Sequence, residues 1–312
     1  MRILVFAIPE FGSMFLDALV TSRKNVVALV LPTIMHPAYK ATKMLAKSYN
    51  IPAIEVGKNL KDPNLVEKIK FYKPDVILIA SYPKLIPPEI YTIPPLGTIN
   101  CHPSLLPQYR GSNPYFHVIR NGEKETGITY HYVDNAYDTG DIIAQWKVPL
   151  SPEETLGTLY FRLSYKASEL YLEVIDKLER DGKLNAIPQP LGKRDLKYSP
   201  EVKDGSPYTY INWHEDVESI ERHVRSLNPF FCATTHFRNM RLRIWSGHIV
   251  KSSIFKPSGE PGIIVKVSND EMLISAGDGL YSLACVQYGM FYLCDIKEFI
   301  TRNDPKVGER LN

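Results

Sequence analysis

The chain has 312 residues, of which 44% are hydrophobic and 23% charged, a composition that is ordinary for a globular protein. This length exceeds the usual size of one domain, so we expect two. A formal net charge of +3 is too small to indicate nucleic-acid binding by itself. No run of about eighteen apolar residues occurs, and the apolar N-terminal stretch is too short for a signal peptide. We therefore expect no membrane span and a cytoplasmic location.

The cysteines and histidines show no spacing that is typical of a metal site. Cys101, Cys232, Cys285 and Cys294 form no C-x-x-C pair, so we expect neither a zinc site nor a disulfide framework. Cys101 is interpreted as a small interior residue rather than as a nucleophile. His131 alternates within an apparent strand and is assigned a structural role. The sequence therefore predicts no bound metal.

Apolar runs alternate with helical patterns over the first part of the chain. Largely apolar runs at residues 3–7, 26–31, 75–80 and 97–100 are typical of buried strands. Strands that alternate with helices predict right-handed crossovers and a parallel sheet covered on both faces, which is a Rossmann-like α/β fold. No G-x-G-x-x-G motif follows the first strand, so a nicotinamide cofactor is disfavoured.

A pair of strands and a long helix are predicted next. Residues 127–133 alternate between apolar and polar side chains, which predicts a strand, and residues 142–149 are its expected partner. Residues 155–180 carry apolar side chains at helical spacing. Gly182 follows this pattern and is interpreted as the helix stop.

The composition changes after the long helix and divides the chain. Residues 183–206 are polar and rich in proline and glycine, which indicates an interdomain linker. We therefore predict a first domain at residues 1–182 and a second domain at 207–312. Within the second domain, residues 217–227 form an amphipathic helix, and several short alternating strands separated by glycine turns predict a small OB-like β-barrel.

The most informative motifs combine an amide, an imidazole and a carboxylate on two separate segments. Asn100-Cys-His102 is followed by Ser-Leu-Leu-Pro-Gln-Tyr-Arg-Gly at residues 104–111, and then by Asp138-Thr-Gly140. Both segments follow apolar runs, so these polar residues are expected at strand ends, where they can converge on one carbonyl. The ordered set resembles the folate-dependent formyltransferases, which act on methionyl-tRNA, on glycinamide ribonucleotide or on amino sugars.

The resemblance extends into the second domain and implies a reaction. Ile211-Asn-Trp213 and Arg225-x-x-Asn228-Pro229 are similar to the C-terminal domain of the methionyl-tRNA and aminoarabinose enzymes of that family. The similarity therefore covers nearly the whole chain. It implies an enzyme that transfers the formyl group of 10-formyltetrahydrofolate, as a co-substrate, to a primary amine.

The resemblance also implies that Asn100, His102 and Asp138 are catalytic. Charge develops on the formyl oxygen during attack by an amine, and the Asn100 amide is a donor that can stabilise this charge. A proton must leave the attacking nitrogen, and His102 can handle it. A carboxylate at Asp138 beside His102 would orient the ring and favour the imidazolium form.

The folate pocket is inferred from the family alone. There the pterin enters a slot between the loop after the third apolar run and the segment before the aspartate. In this chain the corresponding cofactor-binding residues are Ser81, Tyr82, Leu85, Ile86, Ser104, Leu105, Leu106, Pro107, Val133, Asp134 and Tyr137. Arg110 either meets an acidic group of the substrate or forms a structural ion pair.

The identity of the amine acceptor rests on charge and on loop length. Enzymes acting on glycinamide ribonucleotide resemble only the first domain, which disfavours that acceptor. Residues 207–312 contain twelve Lys and Arg against twelve Asp and Glu, so this domain offers no net basic charge for tRNA. Methionyl-tRNA enzymes typically have a basic insertion after the second strand, whereas this chain has only a short loop at residues 32–40.

These features favour a nucleotide-linked amino sugar as the acceptor and as the small-molecule partner. Methionyl-tRNA formyltransferase is the alternative, with tRNA as the partner. A non-catalytic binding protein with a formyltransferase fold is a second alternative, which the intact set of Asn100, His102 and Asp138 disfavours. The oligomeric state is left open, with a homodimer as one option.

Overall fold

The computed structural model describes residues 1–8, 11–33, 38–57, 59–192, 194–250, 260–290 and 292–312. Residues 34–37 of the short loop at 32–40 thus lie outside the described residues.

The chain divides into two compact units, and neither is continuous in sequence. The first unit comprises residues 1–114, 125–149 and 161–199, and the second comprises 115–124, 150–160 and 200–312. The predicted linker at 183–206 therefore includes the position at which the first unit ends.

Nine strands belong to the described part of the first unit. They are β1 (Arg2–Ala7), β2 (Asn25–Pro32), β3 (Ala53–Val56), β4 (Val76–Ala80), β5 (Thr98–His102), β6 (Arg110–Gly111), β7 (Glu125–Tyr132), β8 (Ile142–Pro149) and β9 (Tyr198–Ser199). Seven of them form one sheet in the order β3-β2-β1-β4-β5-β7-β8, and β6 pairs with β9. The predicted α/β fold is confirmed; β4, and β1 apart from Arg2, are buried at its centre.

The sheet is mixed rather than entirely parallel. The strands from β3 to β5 run parallel, whereas β7 is antiparallel to β5 and β8 is antiparallel to β7. Only nine residues connect β7 to β8, at 133–141, which is shorter than a parallel crossover requires. This connection therefore returns the chain alongside β7, and its first residue, Val133, donates its N–H to the Thr98 carbonyl at the start of β5.

Six α-helices of the described residues accompany these strands. They are α1 (Phe11–Thr21), α2 (Ala38–Ser48), α3 (Pro63–Phe71), α4 (Pro88–Tyr91), α5 (Pro114–Arg120) and α6 (Leu156–Asp181). The Asp62 carboxylate accepts the Asn64 N–H at 3.0 Å and caps α3, while Pro63 fits the first helical position. Gly182, at φ +68°, follows α6, as the sequence predicts. None of the helices in the described ranges is long and apolar enough to cross a membrane.

The second unit contains an antiparallel sheet and two further helices. Its elements are α7 (Val217–Leu227), β10 (Ala233–Phe237), β11 (Met240–Val250), β12 (Ile264–Val267), β13 (Met272–Ser275), β14 (Leu280–Tyr288), β15 (Tyr292–Asp295) and α8 (Ile296–Asn303). The strand order is β10-β11-β14-β13-β12, and β15 also pairs with β14. Leu311 bridges to Phe237 of β10, and Arg310 bridges to Ile263 beside β12. The last residues thereby join the two edges of the sheet, in agreement with the predicted barrel.

Candidate active site

The three predicted catalytic side chains meet at the end of β5. Asn100 and His102 lie two residues apart on this strand, so their side chains project from the same face of the sheet. Asp138 lies in the loop between β7 and β8. Its Oδ1 atom is 3.4 Å from Asn100 Nδ2 and 3.5 Å from His102 Nδ1. One carboxylate oxygen therefore faces both other groups.

The backbone around Asp138 is constrained. Asp138 has φ +55°, a left-handed conformation that costs a residue with a side chain about 1–3 kcal/mol and persists only where its surroundings impose it. A Cβ atom on Gly140 would lie 1.9 Å from the Tyr132 carbonyl oxygen, so only glycine fits that position. Asp138 Oδ2 accepts the Gly111 N–H at 3.0 Å. The carboxylate is thus fixed from both sides.

Asp138 is a carboxylate at neutral pH. Burial raises its pKa, but the neighbouring imidazoles of His102 and His131 and the Gly111 N–H outweigh burial, so the net pKa lies below the ordinary value. The negative charge therefore remains in a site from which water is largely excluded, where its effect on nearby groups is strong.

His102 is buried and is neutral at rest. Its Nε2–H donates to the Tyr109 carbonyl at 2.9 Å, which leaves the Nδ1 lone pair on the side of Asp138. Burial lowers the pKa of His102 and His131 lowers it further, while Asp138 and the Tyr109 carbonyl raise it; the net shift is downward. Asp138 does raise the pKa of His102, as the sequence predicts, but the lowering by burial is larger. Nδ1 is therefore the atom that can accept a proton.

His131, to which the sequence analysis assigns a structural role, also lies in this cluster and contacts Asn100. Its Nδ1 lies 2.7 Å from the Tyr132 carbonyl, which only accepts, so Nδ1 carries a proton. In the neutral ring, Nε2 is then left to accept the Asn100 amide at 3.0 Å, and it lies 3.6 Å from Asp138 Oδ1. His131 is directly opposite Asn100 in the pairing of β7 with β5, and that pairing is the signal that would have identified it.

The two segments predicted to form the folate slot lie together. The Leu85 N–H donates to the Tyr137 hydroxyl at 3.1 Å and connects the loop after β4 to the segment before Asp138. Tyr82, Ile86 and Val133 pack against one apolar cluster on this side of the sheet. The Tyr137 ring is itself 59% exposed, so it is available to a ligand.

Ser81 and Asp134 are the remaining predicted folate-binding residues of the loop after β4 and of the segment before Asp138. Ser81 follows β4 with φ +54°. Asp134 Oδ1 accepts the Ala136 N–H at 3.2 Å and the Thr139 hydroxyl at 2.6 Å, which shapes the loop that leads to the catalytic carboxylate.

The predicted pocket residues 104–107 form a rigid turn in which Ser104 and Leu106 are buried and Leu105 and Pro107 are half-buried. The buried Ser104 hydroxyl donates to the Gln108 carbonyl at 2.6 Å, and the buried Leu106 N–H donates to the Thr129 hydroxyl at 3.2 Å. A Cβ on Gly127 would lie 2.3 Å from Leu105, so this side chain fills the space above β7. The peptide bond between Leu106 and Pro107 is cis. Folate binding by this segment and by the two described above stays a prediction.

Arg110 lies beside the group that holds Asp138, because the next residue is Gly111. Arg110 Nη2 donates to the Tyr198 hydroxyl at 2.8 Å, and the guanidinium carbon is 5.0 Å from the centre of that ring. In the part of the chain that the structure describes, Arg110 forms no ion pair. Of its two predicted roles, contact with an acidic substrate group is the one left open.

Two known protein families match this chain, one over its N-terminal part and one over its C-terminal part. The family described as formyl transferase matches residues 1–175, and its C-terminal domain matches residues 208–304. Together these matches cover most of the sequence, including every predicted catalytic residue.

Curated relatives match along their whole length. The methionyl-tRNA formyltransferase of Acetivibrio thermocellus is 33% identical over 99% of this chain and 98% of its own length. The methionyl-tRNA formyltransferase of Thermodesulfovibrio yellowstonii is 32% identical over 98% of this chain and 97% of its own.

Solved structures share the fold at lower identity. HypX from Aquifex aeolicus in complex with tetrahydrofolic acid has a TM-score of 0.66 at 20% identity, and the match covers 98% of this chain but only 48% of HypX. An N-formyltransferase from Helicobacter canadensis, in complex with folinic acid and dTDP-3-aminofucose, has a TM-score of 0.66 at 17% identity over 92% of this chain and 99% of its own. The sequence matches, the shared fold and the meeting of the motif side chains agree. This chain belongs to the formyl transferase family.

Proposed function

We propose that this protein transfers the formyl group of 10-formyltetrahydrofolate to the amino group of methionyl-tRNA. The observation that carries the choice of acceptor is the end-to-end similarity, at 30–33% identity, to proteins named methionyl-tRNA formyltransferase. This similarity includes the barrel unit, whereas the preference for an amino sugar rested on a charge count and a short loop. The relatives therefore favour the alternative acceptor of the sequence analysis over its first choice.

The proposed reaction makes one carbon–nitrogen bond and breaks another. The acceptor nitrogen attacks the formyl carbon, and its proton passes to Nδ1 of His102, which is free because Nε2 donates to the Tyr109 carbonyl. The resulting imidazolium lies 3.5 Å from the Asp138 carboxylate, which stabilises it. When the tetrahedral intermediate collapses, the bond to the folate nitrogen breaks and His102 returns the proton to that nitrogen.

Asn100 is proposed to stabilise the charge on the formyl oxygen. Its amide donates to His131 at 3.0 Å and to Asp138 at 3.4 Å. The second of these bonds is long and therefore weak. The same N–H can therefore donate to the formyl oxygen instead, as negative charge develops there. The other Nδ2 proton of Asn100 remains hydrogen-bonded to His131 Nε2, which keeps the amide oriented.

A nucleotide-linked amino sugar is the second candidate acceptor. The equal numbers of basic and acidic residues in 207–312 favour it, because a protein that contacts many tRNA phosphates gains affinity from basic charge. The two acceptors differ in how their binding depends on salt.

Turnover with methionyl-tRNA is the expected result of a direct comparison of acceptors. The protein would be incubated with 10-formyltetrahydrofolate and either methionyl-tRNA or a dTDP-linked amino sugar, and release of tetrahydrofolate would be followed by absorbance. We expect affinity for tRNA to fall by at least about tenfold between 50 and 200 mM salt, which two phosphate contacts would produce.

Uncharged tRNA is the control, since it should bind but not react. Turnover with the sugar and none with methionyl-tRNA would reverse the choice of acceptor. Absence of turnover with both would contradict the proposed reaction itself.

Substitution of Arg110 is expected to weaken acceptor binding. Its guanidinium has no ion-pair partner in the described ranges and lies one residue from Gly111, which binds Asp138. A phosphate of the acceptor is a suitable partner for this cation. Arg110→Gln should raise the acceptor KM by about tenfold, as loss of one charge-assisted hydrogen bond does, and change kcat little.

Arg180→Gln is the matched control, because Arg180 is exposed and pairs with Asp181 on the surface. An unchanged acceptor KM in Arg110→Gln would assign Arg110 to structure alone.

A further inference from the structure

Gln189 contacts the loop that carries the catalytic carboxylate. It lies between α6 and β9, in the stretch predicted to be a linker, and its side chain is only 9% exposed. Its Nε2 donates to the carbonyl of Asp138 at 3.0 Å and to the carbonyl of Gly140 at 2.7 Å. Only the NH₂ end of a carboxamide can donate to two carbonyls, which fixes the orientation of this side chain.

We propose that Gln189 is a positioning residue for formyl transfer, holding the loop at residues 138–140 so that Asp138 faces His102 and Asn100. The proposal rests on the catalytic role proposed for Asp138. Gln189 contacts the backbone of the loop rather than the carboxylate, so it acts through Asp138.

The loop needs such a contact because its conformation is not favoured locally. Asp138 is in the left-handed region at φ +55°, and the distances from its Oδ1 to Asn100 and His102, 3.4 and 3.5 Å, are long. The only short contact of the carboxylate described here is the 3.0 Å bond from Gly111. A small shift of the loop would therefore separate Asp138 from His102.

The segment that carries Gln189 is itself fixed to the sheet. Ile187 and Ile142 exchange two backbone hydrogen bonds, of 2.8 and 2.9 Å, and form an antiparallel bridge at the start of β8. Gln189 follows two residues later, beside the loop that ends at Ile142. The carboxamide therefore reaches Asp138 from a rigid support.

The unpaired Oε1 atom of Gln189 indicates that the Nε2 group, which donates, is the part of the side chain that matters. This oxygen is buried and has no hydrogen-bond partner within the described residues. A buried acceptor without a partner is unfavourable, so an apolar side chain of similar length would fill the same space at lower cost. The two donated bonds are what glutamine provides at this position.

Gln189→Met tests the proposal, since methionine keeps the length of the side chain and removes both donors. We expect kcat to fall by roughly 10- to 100-fold, the range that misplacement of a catalytic group by about 1 Å produces, while the KM for 10-formyltetrahydrofolate changes by less than about threefold. The acid limb of the pH profile of kcat should also move to lower pH.

The direction of that shift follows from the groups that face His102. These are the Asp138 carboxylate and the Tyr109 carbonyl, which raise the pKa of His102, and the imidazole of His131, which lowers it. A loop that carries Asp138 away from His102 removes the largest of the raising effects. A loss of stability alone would leave the pH profile in place.

Ser275→Ala is the matched control, because the buried Ser275 hydroxyl bonds to backbone carbonyls of the second unit, Glu260 and Ile263. It should lower the melting temperature and leave kcat and its pH profile unchanged. Gln189→Glu provides a second variant: its activity relative to the unsubstituted protein should rise as pH falls, because a protonated carboxyl can donate one hydrogen bond to a loop carbonyl.

The outcomes separate this inference from the proposed function. If Gln189→Met keeps kcat within about threefold of the unsubstituted protein while Asp138→Asn is strongly impaired, the inference is wrong and the function stands. If Asp138→Asn is also active, the proposed role of Asp138 fails. An unshifted pH profile in Gln189→Met, or no relative gain for Gln189→Glu at low pH, overturns the positioning role even where kcat has fallen.

Discussion

His102→Asn is expected to lower kcat by roughly 10²-fold or more, because general acid–base groups typically contribute on this scale. Asparagine removes His102 Nδ1, the ring nitrogen that lies 3.5 Å from Asp138 Oδ1 and can accept the amine proton. Binding of the folate donor should largely survive, since none of the predicted folate-binding residues is changed. The measurements are kcat by tetrahydrofolate release and donor affinity by titration.

The control for this variant is His248→Asn, which changes an exposed histidine of the second unit. Thermal melting should show that both the variant and its control are folded. A folded His102→Asn protein with nearly normal kcat would remove His102 from the mechanism.

The pH dependence of the unsubstituted protein follows from the same group. Burial lowers the pKa of His102 below its ordinary value of 6.5, and the neutral ring is the form that accepts a proton. Activity should therefore be full at neutral pH and fall on acidification, with the acid limb of kcat below pH 6.5. A limb above that value would mean that the charged ring is the resting form.

Asp138→Asn is the second large effect, again of roughly 10²-fold or more in kcat. The substitution preserves the size of the side chain and removes the charge that stabilises the imidazolium of His102. Because Asp138 raises the pKa of His102, its removal should move the acid limb of kcat to lower pH. Asp141→Asn is the control, since Asp141 is an exposed carboxylate of the same loop.

Acid stability gives an independent test of the charge on Asp138. The pKa of Asp138 is lowered in the folded state, so its ionisation stabilises the fold above the unfolded pKa, and this contribution is lost as pH falls through the folded pKa. The free energy of unfolding of the unsubstituted protein should therefore fall more steeply below about pH 4 than that of Asp138→Asn. Parallel curves for the two proteins would show that folding does not lower the pKa of Asp138.

Local sequence patterns are sufficient to predict many of the strands and helices and to place the motif residues on them. The apolar runs identified β1, β2, β4 and β5, and Gly182 marked the end of α6. These features are encoded within a few residues by burial periodicity and by backbone preference, so one sequence reveals them. The same patterns place Asn100 and His102 on a strand.

The rest of the site depends on contacts between distant residues. The contact of His131 with Asn100 becomes visible only when β7 is paired with β5. Tyr109 and Gly111 act through a backbone carbonyl and a backbone N–H, which no side-chain motif records. The choice of acceptor depends on similar information, because a sum of charges says nothing about where on a surface they lie.

The discontinuity of the two units limits how enzymes of this kind can be recombined. The chain passes between the units five times, at residues 114, 124, 149, 160 and 199. Consider a chimera made by one crossover, with the first 199 residues from this protein and the remainder from a relative. Its second unit would combine residues 115–124 and 150–160 of this protein with residues 200–312 of the relative. Exchange of an intact second unit between relatives therefore requires three segments, 115–124, 150–160 and 200–312, to be transplanted together.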